Sequence, residues 1–115
     1  MNDISCIIIN YNTAQLTYDC VQSLIEKNEG VNYEIIIVDN ASEYEDYEKL
    51  INSIQSLQNP SIKVYRSRIN SGFGGGNMFG YQFIENSKYV VFINSDVLFL
   101  SPNCLKEFQV FMDER

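Results

Sequence analysis

Residues 88–100 read KYVVFINSDVLFL, and the reading of this stretch decides the fold. Tyr89, Val90, Val91, Phe92 and Ile93 make an unbroken run of β-branched and aromatic side chains, the composition of a strand buried on both faces of a parallel sheet. The run stops at Asn94-Ser95-Asp96, and a second apolar run, Val97-Leu98-Phe99-Leu100, follows at once. A carboxylate between two buried apolar segments is costly unless its charge is compensated. At the carboxyl end of a parallel strand the compensation is often a ligand or a metal. The expectation is that the rest of the chain builds the crevice that Asp96 faces.

Outward from that stretch, strand and helix patterns alternate. Ile4–Ile9 reads as a buried strand, broken at Asn10-Tyr11-Asn12-Thr13, where Asn12 or Thr13 is expected to cap a helix. Leu16, Cys20, Val21, Leu24 and Ile25 recur at helical spacing and predict a helix over Ala14–Lys27. Tyr33–Val38 is a second buried strand, closed by Asp39-Asn40-Ala41-Ser42. Tyr47, Leu50, Ile51, Ile54 and Leu57 predict a helix over Glu43–Leu57, with the acids Glu43–Glu48 as a solvated helix start favoured by the dipole. Ile62–Tyr65 alternates, as an outer strand would. The glycine-rich stretch Arg66–Asn77 is read as a turn opening a helix whose apolar positions are Met78, Phe79, Tyr81, Phe83 and Ile84. Ser101 and Pro102 suit the N-cap and first turn of a last helix, with Leu105, Phe108 and Phe111 or Met112 on its apolar face. The order predicts one α/β domain over residues 1–115, a mainly parallel sheet with helices on both faces. Its polar clusters would share the edge where such sheets bind ligands.

Composition narrows the functions. The chain has 115 residues, a net charge of −7 and no histidine. An acidic chain without a basic stripe argues against binding nucleic acid through its phosphates. An anionic ligand would be held by backbone N–H groups, by a metal, or by the few basic residues such as Arg66 and Arg68. The lack of histidine excludes a Ser-His-Asp or Cys-His machine within these residues. Cys6, Cys20 and Cys104 are odd in number and widely spaced, the usage of reduced structural thiols. No apolar run is long enough to span a bilayer and the first residues lack a basic n-region, which gives a cytoplasmic expectation.

Three stretches carry candidate chemistry. Asp39 can accept a hydrogen bond from a base or ribose hydroxyl, or it can cap the next helix; its spacing favours neither. The glycines of Gly72–Gly76 either bring backbone close to a phosphate at a helix N-terminus or permit tight packing of helix on sheet. The stretch matches neither G-x-G-x-x-G nor the P-loop pattern. Asp96 offers hard oxygen to Mg²⁺ or Mn²⁺ bridged to a diphosphate, with a turn or capping acid as the plain alternative. Tyr11, beside these clusters, is the one tyrosine placed to stack on a ligand; Tyr44 and Tyr47 read as packing or surface residues.

IIINYN (7–12), IIIVDNAS (35–42), NSGFGGGN (70–77) and VVFINSD (90–96), in this order and spacing, resemble the inverting family 2 glycosyltransferases of the GT-A fold, nearest the rhamnosyltransferase-like branch. The resemblance covers nearly the whole chain. It implies a Rossmann-like nucleotide-binding half that takes an NDP-sugar donor, UDP- or dTDP-linked, for polysaccharide biosynthesis. Asp39 would contact the nucleoside, and Asn10 and Asn12 would line the nucleotide pocket. Asn70, Gly72, Gly74, Gly75 and Asn77 would close over the nucleotide and diphosphate. Asp96 would be the metal-binding acid of the D-x-D-like motif, with Mg²⁺ or Mn²⁺ as cofactor. Asn94 stands where many relatives carry the first acid, and could hold the ribose. The acceptor would be a glycan or a lipid-linked sugar, placing the protein in the cytoplasm or at the inner face of the membrane. Nothing after Asp96 resembles the family's acceptor half with its general base. The expectation is therefore a donor-binding part that is inactive alone and exposes an apolar edge favouring a homo-oligomer. The rival is a non-catalytic nucleotide-binding or interaction module. A nucleotidyltransferase would want a basic Gly-rich loop after the first strand, and a receiver domain paired acids there; NYNTAQ supplies neither.

Overall fold

A computed structural model describes residues 2–99 and 102–114 of the chain. Four strands, β1 (Asn2–Asn10), β2 (Tyr33–Asn40), β3 (Ile62–Ser67) and β4 (Ser87–Ile93), form one sheet in the order β3-β2-β1-β4. Every pairing in it is parallel. The first strand lies between the second and the Tyr89 strand, which makes the Asn10, Asp39 and Asp96 segments neighbours at one end of the sheet. The helices are α1 (Ala14–Lys27), α2 (Tyr44–Ser56), α3 (Gly72–Tyr81) and α4 (Cys104–Asp113).

The pleat sends alternate side chains to opposite faces. Cys6, Ile8, Ile35, Ile37 and Ile62 meet Cys20, Val21 and Leu24 of α1, Leu50 and Ile54 of α2, and Leu105 of α4 in the larger core. On the other face Ile7, Ile36 and Val38 pack with Phe79, Phe83 and Ile84. The interior strands β1 and β2 are buried along nearly their whole length, as continuous apolar runs require.

The structure departs from the sequence reading in several places. β4 is an outer strand among the described residues, so Lys88 and Phe92 are exposed and its run is not buried on both faces. The second apolar run divides: Val97 and Leu98 are exposed beyond a turn closed by Val97 N–H donating to the Asn94 carbonyl, Phe99 packs half-buried against the larger core, and Leu100 lies outside the described residues. The glycines are not a turn before α3 but its first turns, and Phe83 and Ile84 lie past its end. Its sheet-facing residues are Gly76, Asn77 and Gly80, while Met78 and Tyr81 face solvent. A Cβ on Gly80 would stand 2.8 Å from Val38 Cγ2 and 3.0 Å from Ile7 Cγ2, so small residues are what let this helix approach. Helix α4 begins at Cys104, with Pro102 in the preceding turn; Ser101, the expected N-cap, lies outside the described residues.

Candidate functional site

Register places Asn10 opposite Asp39, and Asp39 opposite Arg66. All three side chains turn to the α1–α2 face. Asn10 is sealed from solvent. Its Nδ2 donates to Asp39 Oδ1 at 2.9 Å, Asp46 Oδ2 at 3.0 Å and Ser42 Oγ at 3.2 Å. Its Oδ1 accepts from Thr17 Oγ1 at 2.7 Å and Thr13 Oγ1 at 3.3 Å. One amide thus ties β1 to β2, α1 and α2.

Asp39 is equally buried. Its Oδ2 accepts the Ser42 N–H at 3.2 Å and stands 3.6 Å from Arg66 Nε. It bonds within the turn after β2 and is not the cap of α2, whose N-cap is Glu43. The Arg66 guanidinium lies 4.4 Å from the centre of the Tyr47 ring and donates through Nη2 to the Ser42 carbonyl at 2.7 Å. A buried carboxylate therefore has a half-exposed cation beside it, as buried charge demands.

Neither Asn12 nor Thr13 caps α1 with its side chain. Asn12 holds a positive φ of 54°, and its Oδ1 accepts the Glu43 N–H at 2.8 Å. The first turn of α1 is instead satisfied by Asp46, whose Oδ1 accepts the Ala14 N–H at 3.0 Å. This corrects the reading of Glu43–Glu48 as a solvated run, because Asp46 turns inward between two helices.

On the α3 face Asn40 performs the matching task. Its Nδ2 donates to Asn70 Oδ1 at 3.1 Å and to the Gly72 carbonyl at 3.0 Å, and its Oδ1 accepts the Ser71 N–H. Asn70 Oδ1 also accepts the Gly72 N–H at 2.8 Å. The glycines divide by role. Gly72 has a φ of +74°, and a Cβ on Gly76 would press to 2.9 Å from Ile9 Cδ1. A Cβ on Gly75 would meet Ser71, whereas Gly74 has open space around it. Asn77 is 7 % exposed, and its Oδ1 lacks a hydrogen-bond partner.

Asn94 and Asp96 line a crevice of about 300 Å³ with Ile9, Thr13, Leu16, Phe73 and Ser95. It opens between the N-terminal ends of α1 and α3. Leu16 is 48 % exposed here instead of joining the core face of α1. Asp96 is exposed, and its charge adds to burial in pushing the Cys20 thiol up to about 11.

The sequence-derived residues thus fall into three groups at one end of the sheet. Asn10 and Asp39 form a buried network with the exposed Asn12 beside it, Asn70 to Asn77 a loop and helix start tied to β2, and Asn94 with Asp96 an open crevice. The reading missed Asn40, Asp46, Thr13, Leu16 and Phe73. Adjacency to Asp39 was a signal for Asn40; Thr13 read as a helix cap, Phe73 as part of a glycine-rich turn, and Leu16 and Asp46 as ordinary helix residues.

The oxygens beside the crevice are a carboxylate, an amide and a hydroxyl, hard donors of the kind Mg²⁺ or Mn²⁺ takes. Among the described residues no three His, Cys, Asp or Glu side chains gather around one point. The donor set fits a cation that shares its coordination with a diphosphate and does not fit an all-protein cage. Among the described residues no helix is long and apolar enough to cross a membrane.

A family model described as glycosyl transferase family 2 matches residues 5–115. No curated protein matches the sequence. Among solved structures the fold is similar to S. aureus TarS 1-349, with a TM-score of 0.80 and 23% identity over 97% of this chain and 32% of that one. TarS 1-349 in complex with UDP-GlcNAc gives a TM-score of 0.81 and 23% identity, over 97% and 31% of the two chains. The mannosyltransferase PcManGT from Pyrobaculum calidifontis, in complex with GDP-Man and Mn²⁺, gives a TM-score of 0.75 and 16% identity, over 84% and 28%. The chain spans about a third of the length of these structures.

Proposed function

Because the chain belongs to glycosyl transferase family 2, we propose that residues 1–115 form the donor-binding part of an inverting glycosyltransferase that takes a UDP- or dTDP-sugar. The acceptor class is a glycan or lipid-linked sugar in cytoplasmic polysaccharide biosynthesis. The observation that carries the reading is the convergence of the ends of β1, β2 and β4, with Asn10, Asp39 and the Asn94–Asp96 turn, beside the N-terminal end of α3. That end carries the positive pole of the helix, which favours a diphosphate in a chain short of cations. The structures complexed with UDP-GlcNAc and with GDP-Man and Mn²⁺ support the same class of ligand.

In this reading the nucleoside lies toward Asn10, Asn12 and Asp39, with Tyr11 placed to stack. Asp39 is sealed, so a base donor meets it by moving the Arg66 side chain, the half-exposed member of their contact. Asn70, Gly72, Gly74, Gly75 and Asn77 close over the nucleotide and diphosphate, and Gly74, where a Cβ would meet nothing within 4 Å, is the closest-approach position. Asn94 holds the ribose and Asp96 a divalent cation, which when bound neutralises charge on the leaving diphosphate.

Calorimetric titration tests this. UDP, dTDP and GDP are expected to bind more tightly than the mononucleosides, and more tightly with Mn²⁺ than with EDTA. Asp96→Asn is expected to remove most of the metal dependence. Equal affinity in Mn²⁺ and EDTA, or no binding of any diphosphate, would overturn the assignment.

A further inference from the structure

At the other side of the sheet, a groove of about 470 Å³ runs between α2 and the outer strand β3. Ile51, Ile54, Ile62 and Val64 form its apolar walls, and Gln55 and Gln58 stand on its rim. Beside it, β3 has no neighbour on its outer side among the described residues. The phase of its free groups follows from the ladder. Ile35 N–H donates to the Ser61 carbonyl at 2.8 Å and Ile35 is paired with Ile62. In a parallel ladder the N–H and C=O of one residue face the same neighbour, and successive residues alternate sides. Ser61, Lys63 and Tyr65 therefore turn to β2, and Ile62, Val64 and Arg66 turn outward. Ile62 N–H is taken by the Asn59 carbonyl, which leaves the N–H and C=O of Val64 facing out. The residue with the free backbone also floors the groove, which is the arrangement of β-strand addition.

Basic side chains often guard such an edge, but these are drawn aside. Lys63 turns to the α3 face and pairs with Glu85 at 3.6 Å, and Arg66 folds over Tyr47. Lys63 and Arg66 face Glu85 and Asp39, and the exposed Arg68, just past the strand, adds a further cation at this end in a chain of net charge −7. On the opposite side of the sheet α4 packs on β4 at Tyr89, through Tyr89–Phe108 and Tyr89–Asp113 contacts.

We propose that the β3 edge and the α2–β3 groove dock an extended segment of a partner protein, apolar at alternate positions and acidic at the Arg66–Arg68 end. It adds as a fifth strand. Its apolar side chains enter the groove, Val64 exchanges backbone hydrogen bonds with it, and its acids meet Arg68 and the half-exposed Arg66.

The test is a titration of isotope-labelled protein with a capped nine-residue peptide alternating valine and threonine and ending in two glutamates. Expected are saturable NMR shifts at Ile51, Ile62 and Val64 and slowed exchange of the Val64 amide. Val64→Pro removes only an outward N–H, at an edge position where proline is tolerated. It should weaken binding about tenfold, the equivalent of one hydrogen bond, with helix content retained. If that variant does not fold, Ile51→Asp on the groove wall gives the same reading. Replacing the two glutamates by lysines should weaken binding about tenfold at low salt. Non-saturating shifts, shifts centred on β4, or affinity unchanged by either protein variant would overturn the proposal.

Discussion

Replacing Asn10 by Asp keeps the shape of the side chain and inverts its role. The wild-type amide donates to Asp39, Asp46 and Ser42 while accepting from Thr17 and Thr13. Asn10→Ala leaves the buried Asp39 oxygen, the buried Thr17 hydroxyl and the half-buried Asp46 oxygen without this partner. At roughly 1–3 kcal/mol per stranded buried group, the two buried ones alone make the loss about 2–6 kcal/mol, a large part of the ~5–15 kcal/mol that holds a domain. Asn10→Asp keeps the acceptor for Thr17 but sets a third carboxyl about 3 Å from two others. Like charges at that spacing do not all ionise, so the folded variant carries a proton that its unfolded chain releases. Holding it at pH 7 against an ordinary carboxyl near pH 4 costs about 4 kcal/mol, or ~1.4 kcal/mol per pH unit. The sign follows from linkage: a folded pKa above the unfolded value gives stability that is present in acid and lost as pH rises. Asn10→Asp should therefore be less stable than Asn10→Ala at pH 7. It should equal or exceed Asn10→Ala near pH 4–5, where its protonated carboxyl still donates once. Urea denaturation of both variants, followed by circular dichroism across this range, reads the crossing. The same order of stability at both ends of the range would refute the network as described.

The glycines of α3 should separate by position. Gly80→Ala forces a methyl against Val38 and Ile7 and should cost about 1–3 kcal/mol, less about 1 kcal/mol of helix propensity. Gly74→Ala meets nothing and should gain up to about 1 kcal/mol while weakening diphosphate binding; thermal melts and calorimetry separate the two effects. Burial pushes the Cys6 thiol up to about 12 and the Cys20 thiol up to about 11, from an ordinary 9.0. Both should resist disulfide reagents at pH 8 in the folded protein. Stability should be full below pH 9 and fall as pH rises through that range toward 11–12, because only the unfolded thiols ionise readily; alkaline denaturation of a Cys6→Ser, Cys20→Ser pair reads their share. With Phe92 and Leu98 exposed around an outer strand, the chain should self-associate with rising concentration, and Phe92→Lys should reduce this in sedimentation.

The periodicity of apolar residues carried most of the fold. Ala14–Lys27 appears with the predicted bounds, and β1, β2 and β3 lie within a few residues of their predicted ends. The parallel sheet sets the polar clusters at one end, and β1 between β2 and β4 sets the Asn10, Asp39 and Asn94–Asp96 segments side by side. The misreadings share a cause: a side chain's environment depends on neighbours far away in sequence. β4 has the composition of a buried strand yet lies outermost, and Leu16 keeps helical spacing yet lines the crevice with Phe73 and Asp96. The glycine run looked like a turn because glycine disfavours helix; its helical state reflects the room that Ile9, Ile7 and Val38 leave for α3. Which acid in Glu43–Glu48 turns inward could not be read from composition, because Asp46 is selected by helix phase and by the position of Asn10.

Asp46 also has a bearing on the order in which the chain takes shape as it is made. The first turn of α1 receives its acceptor from a carboxylate 32 residues downstream. At about 5–20 residues per second, a ribosome supplies that acceptor roughly 2–6 s after Ala14. Until then α1 is a fourteen-residue helix with one open end, near the length at which an isolated helix is marginal in water. The opening strand–helix segment should stay fluid until the second arrives, and the two should then set together as a single cooperative unit.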